Sequence, residues 1–464
     1  MPPEQSAWIP EIAGRDKPVY LAIADAISDD VRAGRLSPGE RLPPQRLLAE
    51  RMGIDFTTVS RAYGEARRRG LVDAHVGQGT FVRTAPPPHR APASTGFVDM
   101  TMNQPPLPDA PELLERLQRG MSAAVSGIGL KGILRYPEAG DPAEDRAAGA
   151  FWLRRRLPGL AAERVVVCPG TQGALLALLT ALARPGDVVC AEALTYPGFK
   201  AVAAQLGLRV VGVPMDADGI DSEALRSVLA EHRPKALYCT PTFHNPTTAT
   251  MPLERRQAVV AAAREHGVPI IEDDIYGLLP AESPPPLAAL APELTHHIAG
   301  LAKCVSPMLR IAYVVAPDAR HAMRLTAAQR ATTLMASPLT AAIARQWITD
   351  GSAQAVLDAV CAEAMARRAL ADSLLPAASV VTKREAFHLW LHLPNAWTRG
   401  EFATHLRTRG IAAVVSDTFA VTPDIPNALR ICLGAPTDRD ETRRVLEIVA
   451  ETLDQLPVLA GAII

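Results

Sequence analysis

The sequence predicts a two-part chain: a small helix-rich α+β head, then a large α/β unit that finishes in a smaller α+β domain. Three observations predict it. The stretch "RTAPPPHRAPASTG", Arg83 to Gly96, is rich in Pro, Ala, Ser and Thr and has no apolar period. It marks a linker that, at ~3.1 Å per residue, spans up to roughly 40 Å. Behind it, apolar runs alternate with helical stretches, the pattern of a mostly parallel sheet with helices on both faces. From about Met323 the pattern shifts to long helices, a strand-like "FHLWLHLP" and a final "LRICLG" followed by a helix. The expected boundaries are 14–84 for the head, 85–96 for the linker, 97–322 for the large domain and 323–464 for the small one.

Composition bounds the answer further. The chain has 464 residues, 48% hydrophobic and 21% charged, with a net charge of −1. That is a globular balance, and it predicts neither a nucleic-acid nor a membrane binder as a whole. The N-terminus "MPPEQSAWIP" lacks a basic region followed by an apolar one, and no apolar run reaches the ~18 residues of a membrane span. The six cysteines lie far apart without C-x-x-C spacing, which suggests reduced core cysteines in a cytoplasmic protein rather than zinc ligands.

In the head, Val19, Ile23, Ile27 and Val31 recur every four residues, an apolar stripe on a first helix. "PPQRLLAERM" follows as a short helix with Leu48 and Met52 inward. Gly53 turns the chain, Asp55 is a good N-cap, and "FTTVSRAYGEARRRG" makes a third helix. On it Val59, Ala62, Tyr63 and Ala66 face inward, while Thr57, Thr58, Ser60 and Arg61 face outward. With a hairpin at "VDAHVGQGTFVR", this is a winged helix-turn-helix. Residues 41–83 hold eight Arg against four Asp and Glu, locally +4. A run such as Arg67 to Arg69 alone is commonly a solvated helix face. Joined to two helices around a tight glycine turn and to a wing tipped by Gly77–Gln78–Gly79, it predicts contact with DNA phosphates and guanine edges.

The segments "PVYLAIADAISDDVRAGRLSPGERLPPQRLLAERMGIDFTTVSRAY" and "GLVDAHVGQGTFV" resemble the GntR family of bacterial regulators. The resemblance implies double-stranded DNA as a partner. It implies that Arg46 of the L-P-x-x-R motif, and Thr57, Thr58 and Arg61 at the start of the third helix, read it, with Gln78 at the wing. Phe56 stands where many members carry an arginine.

The large unit raises a different question. "GLAKCVSPMLRIAYVV", Gly300 to Val315, reads as one buried apolar element, yet it contains Lys303, one of only six lysines, and Arg310. A lysine snorkelling from a strand end is the ordinary explanation. Burial and nearby cations, however, favour the neutral amine, a nucleophile for aldehydes, and a Schiff base with pyridoxal phosphate accounts for the position. That cofactor needs a phosphate cup, a carboxylate at its ring nitrogen, a donor at its phenolic oxygen and a face to stack on.

Each is on offer. "VVVCPGTQGALLALL" is strand, then Gly170–Thr171–Gln172, then helix, a turn whose amides suit phosphate, although most such turns merely turn the chain. Arg310 adds positive charge. "PIIEDDIYGLL" ends a strand in two aspartates; Asp273 is the choice for the ring nitrogen, with Tyr276 three residues on for the phenolic oxygen, against the alternative of helix capping. "CTPTFHNPTT" puts Asn245 before Pro246, a second donor to that oxygen if it is not simply a turn; a cis bond there would fix its angle. Tyr196 in "EALTYPGF", after a further strand, is the candidate face for stacking on the ring. These groups fall at strand ends, where ligands of α/β sheets bind.

From about Val98 to the C-terminus these motifs resemble fold-type I aminotransferases of class I/II, which are pyridoxal-phosphate dependent. Joined to a GntR-like head, the whole chain resembles the MocR-type regulators. The resemblance implies Lys303 as the Schiff-base lysine, Arg310 at the phosphate, Asp273 at the ring nitrogen, Tyr276 and Asn245 at the phenolic oxygen, and Tyr196 as the stacking ring. Arg430 in "ALRICLG" becomes the α-carboxylate clamp, a bidentate role that explains an arginine inside an apolar strand. Tyr136 in "RYPEAG" matches a tyrosine that reaches the partner's phosphate in a homodimer. Gly300–Leu301–Ala302 departs from the family's S-F-S before the lysine, Thr248 replaces the glycine of N-P-T-G, and Ala312 the glycine of R-x-G-Y; together these count against efficient turnover.

The expected function is a transcription regulator that senses pyridoxal phosphate, an amino compound or both, through a body whose ligand alters how the head engages operator DNA. The alternative is a working aminotransferase with an accessory DNA-binding head.

Overall fold

The structure is a computed structural model and describes residues 8–12, 18–37, 39–69, 71–75, 79–83, 96–108, 110–135 and 142–455. It divides into two compact units, 1–95 and 96–464.

The first unit contains helices α1 (Val19–Arg32), α2 (Gln45–Met52) and α3 (Phe56–Arg68), then strands β1 (Val72–His75) and β2 (Gly79–Val82). The strands pair antiparallel with Val72 opposite Val82. Ile23, Ile27, Leu48, Val59, Ala62, Tyr63 and Ala66 form its core. One predicted core position fails: Val19 is 40% exposed. Four-residue spacing drifts about 40° per step around a helix of 3.6 residues per turn. Ile23 and Ile27 therefore centre the buried face and Val19, the first helical residue, overhangs it. Gly53 closes α2 in the left-handed conformation, φ 64°, and the Asp55 carboxylate caps α3 by accepting from the Thr57 amide at 2.8 Å.

The second unit is built on a seven-stranded sheet. In chain order the strands are β3 (Val165–Cys168), β4 (Val188–Glu192), β5 (Arg209–Val213), β6 (Leu237–Cys239), β7 (Ile270–Asp273), β8 (Thr295–Gly300) and β9 (Ala312–Val315). Their spatial order is β3-β9-β8-β7-β6-β4-β5. β9 runs antiparallel to both neighbours, and the other pairs are parallel. Six of the strands coincide with the apolar runs of the alternating pattern, "RVVVCPG", "DVVCAEA", "RVVGVPM", "KALYCTP", "VPIIEDD" and "LRIAYVVAP". The seventh, β8, opens Thr295–His296–His297 and so carries no apolar signal, yet all six of its residues are buried. His297 is accommodated by Glu272, whose Oε2 lies 3.1 Å from its Nδ1.

β8 also corrects the reading of Gly300 to Val315 as one buried element. The strand ends at Gly300, residues 301–309 turn, and β9 begins at Ala312. Pro307 cannot extend a central strand, and Arg310 takes φ 51°. Lys303 thus sits on a turn at the carboxyl end of β8 rather than within a strand.

The C-terminal part carries helices Ala319–Thr332, Pro338–Thr349 and Ser352–Leu374, and a four-stranded antiparallel sheet that pairs His388–His392 with Ala428–Cys432 and the latter with Val414–Val415. Helix Arg439–Asp454 closes it. The segment after the linker crosses to this part: Val98–Asp99 pairs in parallel with Ile411–Ala412. That crossing carries Thr101, Met102 and Asn103 onto the rim of the cavity described next.

Candidate functional site

The carboxyl ends of β6, β7 and β8, with the loops after β3 and β4, surround a cavity of about 530 Å³ that the C-terminal part closes. Thr171, Tyr196, Asn245, Asp273, Tyr276, Lys303 and Arg430 all line it. Residues more than 250 positions apart are brought together because parallel strands end on one side of the sheet.

At the β3 end, helix Gly170–Leu182, α4, begins directly after the strand. Gly170 has φ 72°, and a Cβ there would lie 3.2 Å from the Arg310 guanidinium. The bare glycine lets that cation lie against the turn. The Thr171 hydroxyl is buried without a partner, as is the Gln172 side-chain oxygen; the Gln172 amide approaches the Gly198 carbonyl at 3.5 Å. A Cβ on Gly300 would come within 2.6 Å of the Thr171 hydroxyl, so Thr171 occupies the room that a side chain at position 300 would need.

The two adjacent aspartates divide. Asp274 binds Arg156 at 2.9 Å; burial raises its carboxyl, but Arg156, His297 and Arg256 outweigh that and hold it below the usual value. Asp273 points into the cavity. One of its oxygens accepts from the Tyr238 hydroxyl at 2.8 Å, and the other is buried with no partner. Burial raises the Asp273 carboxyl to about 6, against the lowering effect of the Tyr238 hydrogen bond.

Burial also lowers the Lys303 amine to about 8, with Arg430 and Arg310 adding to the effect while Cys432 and Asp273 oppose it. Its ammonium donates to the Asn103 carbonyl. The Asn103 amide donates in turn to the Tyr276 hydroxyl at 2.9 Å, and burial pushes the Tyr276 phenol well up. The Asn245–Pro246 bond is cis. The Asn245 oxygen accepts from Arg430 Nη1 at 2.9 Å. Arg430 also donates to the Thr101 carbonyl, lies 5.2 Å from the Phe419 ring centroid, and keeps a buried Nε–H without a partner.

Tyr238, Asn103 and Phe419 escape sequence reasoning. Tyr238 looks like one more apolar strand residue in "KALYCTP". Asn103 follows the linker without a motif. Phe419 belongs to a segment with no periodic signal. Only cross-strand and loop packing put them at the site.

On the head, Arg46 and Arg61 are exposed. The Arg46 guanidinium lies 5.9 Å from the Phe56 ring and that of Arg61 4.4 Å from the Tyr20 ring. Thr57 is exposed and Thr58 partly so at the start of α3. The distal arginines are spent internally: Arg68 and Arg69 both bind Glu65, and Arg69 also binds Asp25 at 2.6 Å. Two candidate residues, Gln78 and Tyr136, lie outside the described residues.

Comparison with known proteins agrees with both halves. Residues 95–449 match the family Aminotransferase class I and II, and residues 19–82 match Bacterial regulatory proteins, gntR family. The chain is 28% identical over 462 residues to the Bacillus subtilis (strain 168) protein named uncharacterized HTH-type transcriptional regulator YdeF, covering 97% of each. It is 28% identical over 304 residues to the HTH-type pyridoxine biosynthesis transcriptional regulator PdxR of Corynebacterium glutamicum, covering 62% of this chain and 63% of that one. Among solved structures, it resembles LysN, the α-aminoadipate aminotransferase of Thermus thermophilus complexed with N-(5'-phosphopyridoxyl)-L-leucine. That likeness has a TM-score of 0.68 at 26% identity, over 79% of this chain and 94% of that one.

Proposed function

The chain belongs to the class I and II aminotransferase family, fused behind a gntR-family helix-turn-helix region, and from that premise we propose a MocR-type transcriptional regulator that binds operator DNA through its head and senses pyridoxal phosphate, with an amino compound, through its body. The observation that carries this reading is the joining, in one chain, of an exposed recognition face on α3 to a cavity whose open valences match that cofactor. Relatives matched along nearly their whole length are named transcriptional regulators, which favours regulation over a working aminotransferase with an accessory head. We assign residues 14–84 to DNA binding, 85–96 to the linker, 97–322 to the cofactor domain and 323–464 to the small domain. We place the protein in the cytoplasm as a homodimer; among the described residues no helix is long and apolar enough to cross a membrane.

The donor set fits the cofactor. Asp273 offers one unpaired buried carboxylate oxygen, and Thr171 an unpaired hydroxyl beside the Gly170–Arg310 cradle. When bound, pyridoxal phosphate supplies an aldehyde carbon and an electron-withdrawing ring. Lys303 presents a partly neutral amine as nucleophile. Asp273 holds the proton on a ring nitrogen, and Tyr238 keeps that carboxylate ionised and aimed. Gly170, Thr171, Gln172 and Arg310 take the phosphate, Tyr196 covers the ring face, and Asn245 and Tyr276 serve the phenolic oxygen. Arg430 takes the carboxylate of the amino compound through its free Nε–H. A ligand held in this way regulates only if it binds the DNA-competent arrangement with a different affinity from the other.

The test is a footprinting titration of the full-length protein on its own promoter, with and without pyridoxal phosphate. The cofactor should change the affinity or the footprint of the wild type and leave Lys303→Ala unchanged. Identical DNA binding with and without cofactor would refute the sensing role.

A further inference from the structure

The cavity extends past the groups that the cofactor uses, and its remainder has a different chemistry. Among the described residues its charged lining is Asp273, Lys303 and Arg430, and the proposed function engages each. The wall added by the C-terminal part is Ala413, Val414, Val415, Thr418 and Phe419, none of them charged. Behind it, Val414 and Phe419 pack with Leu194, Trp390 and Ala428 in one apolar cluster.

Geometry links this wall to the carboxylate clamp. Val414 stands directly opposite Arg430 in their antiparallel pair, and directly opposed residues project their side chains from the same face of a sheet. The Phe419 ring lies 5.2 Å from the same guanidinium. A ligand whose carboxylate meets Arg430 therefore has Val414 beside its remaining atoms, with the buried Phe419 ring backing that surface. Lys200, a cation beside this wall, donates its ammonium to the Thr418 and Ala420 carbonyls at 3.1 and 2.6 Å and does not line the cavity. A second carboxylate or an ammonium on the ligand would lose its hydration here and find no counter-charge among the described residues beyond the three already engaged.

We infer that the effector is an α-amino acid with an uncharged, apolar side chain, its carboxylate on Arg430 and its side chain on the uncharged wall that Val414 presents. The inference rests on the cofactor reading above and narrows it to one ligand class.

Calorimetric titration of the full-length, cofactor-loaded protein tests it, loading being confirmed first from the visible absorbance of bound cofactor. The probes are L-leucine, L-glutamate, L-lysine and 3-methylbutylamine, which is leucine without its carboxylate. Leucine should bind tighter than each of the other three by roughly tenfold or more. A lysine introduced on the wall should move the preference toward glutamate. Val414→Lys places it beside Arg430, and Thr418→Lys places it at an exposed position where folding is not at stake. Glutamate or lysine binding the wild type as tightly as leucine, or no heat from leucine with the loaded protein, would overturn the inference. A chain that takes up no cofactor overturns the cofactor reading itself, and this inference with it.

Discussion

The Tyr238 hydroxyl donates to one oxygen of the Asp273 carboxylate at 2.8 Å and leaves the other without a partner. Tyr238 is itself held flat against Phe199, ring centroids 4.1 Å apart, so the carboxylate is aimed by a rigid pair on neighbouring elements. Burial raises the Asp273 carboxyl from 3.8 to about 6. A folded value above the unfolded one means that this group's contribution to stability is lost as pH rises from about 4 to about 6, roughly 3 kcal/mol in all. A cationic ring nitrogen would recover that cost on binding.

Tyr238→Phe should therefore push the Asp273 carboxyl higher still and weaken cofactor binding at neutral pH. A lost hydrogen bond to a charged group is worth about 1.5–3 kcal/mol, or roughly ten- to hundredfold in affinity. Titration with pyridoxal phosphate followed by visible absorbance should show the loss, and the pH below which affinity falls should move upward in the variant. An unchanged pH profile would count against the assigned role of this pair.

The Lys303 amine, lowered from 10.5 to about 8, gains its neutral nucleophilic form as pH rises. The rate of covalent cofactor capture should climb until about pH 8 and level off above it, whereas an ordinary lysine would keep gaining through the whole alkaline range. Lys303→Ala should yield no pyridoxyl-labelled peptide after borohydride reduction, read by mass spectrometry.

Gly170→Ala should do two separable things. A left-handed φ of 72° costs an L-residue about 1–2 kcal/mol, and the new methyl presses on the Arg310 guanidinium at 3.2 Å. Thermal melts should register the first effect and faster cofactor loss on dialysis the second. Gly186→Ala is the control: its φ is 88°, with nothing within 4 Å of a Cβ, so it should share the destabilisation and retain the cofactor.

The arginines of the head should not be equivalent. Arg46→Ala and Arg61→Ala remove exposed charges that form no ion pair among the described residues. Each should weaken promoter binding, and loss of a phosphate contact should lower the salt slope of log affinity by about 1. Arg68, already bound to Glu65 at 2.8 Å, should matter less when replaced by alanine. Anisotropy titrations at several salt concentrations would decide; equal losses at all three positions would contradict the assigned recognition face.

Much of the site is legible because its signals are local. Lys303 and Arg310 are marked by charge in an apolar run, Asp273 and Tyr276 by a three-residue spacing after a strand, and Arg430 by its place inside one. β8 is illegible because its buried histidines look polar, and only the fold shows His297 paired with Glu272 across the sheet. Asn103 is illegible because nothing in "MNQPPLP" announces that its carbonyl meets Lys303 and its amide Tyr276.

By itself the sequence determined the two-part organisation, the α/β class and which chemically able residues stand at element ends, since apolar period, turn residues and caps act over a few positions. Only the tertiary structure decided that Asp273 faces the cavity while Asp274 is consumed by Arg156, that Tyr238 aims the carboxylate, and that an uncharged wall adjoins Arg430. Those outcomes depend on which strands lie side by side and on how deeply each charge is taken out of water, quantities that arise from pairings between residues tens to hundreds of positions apart.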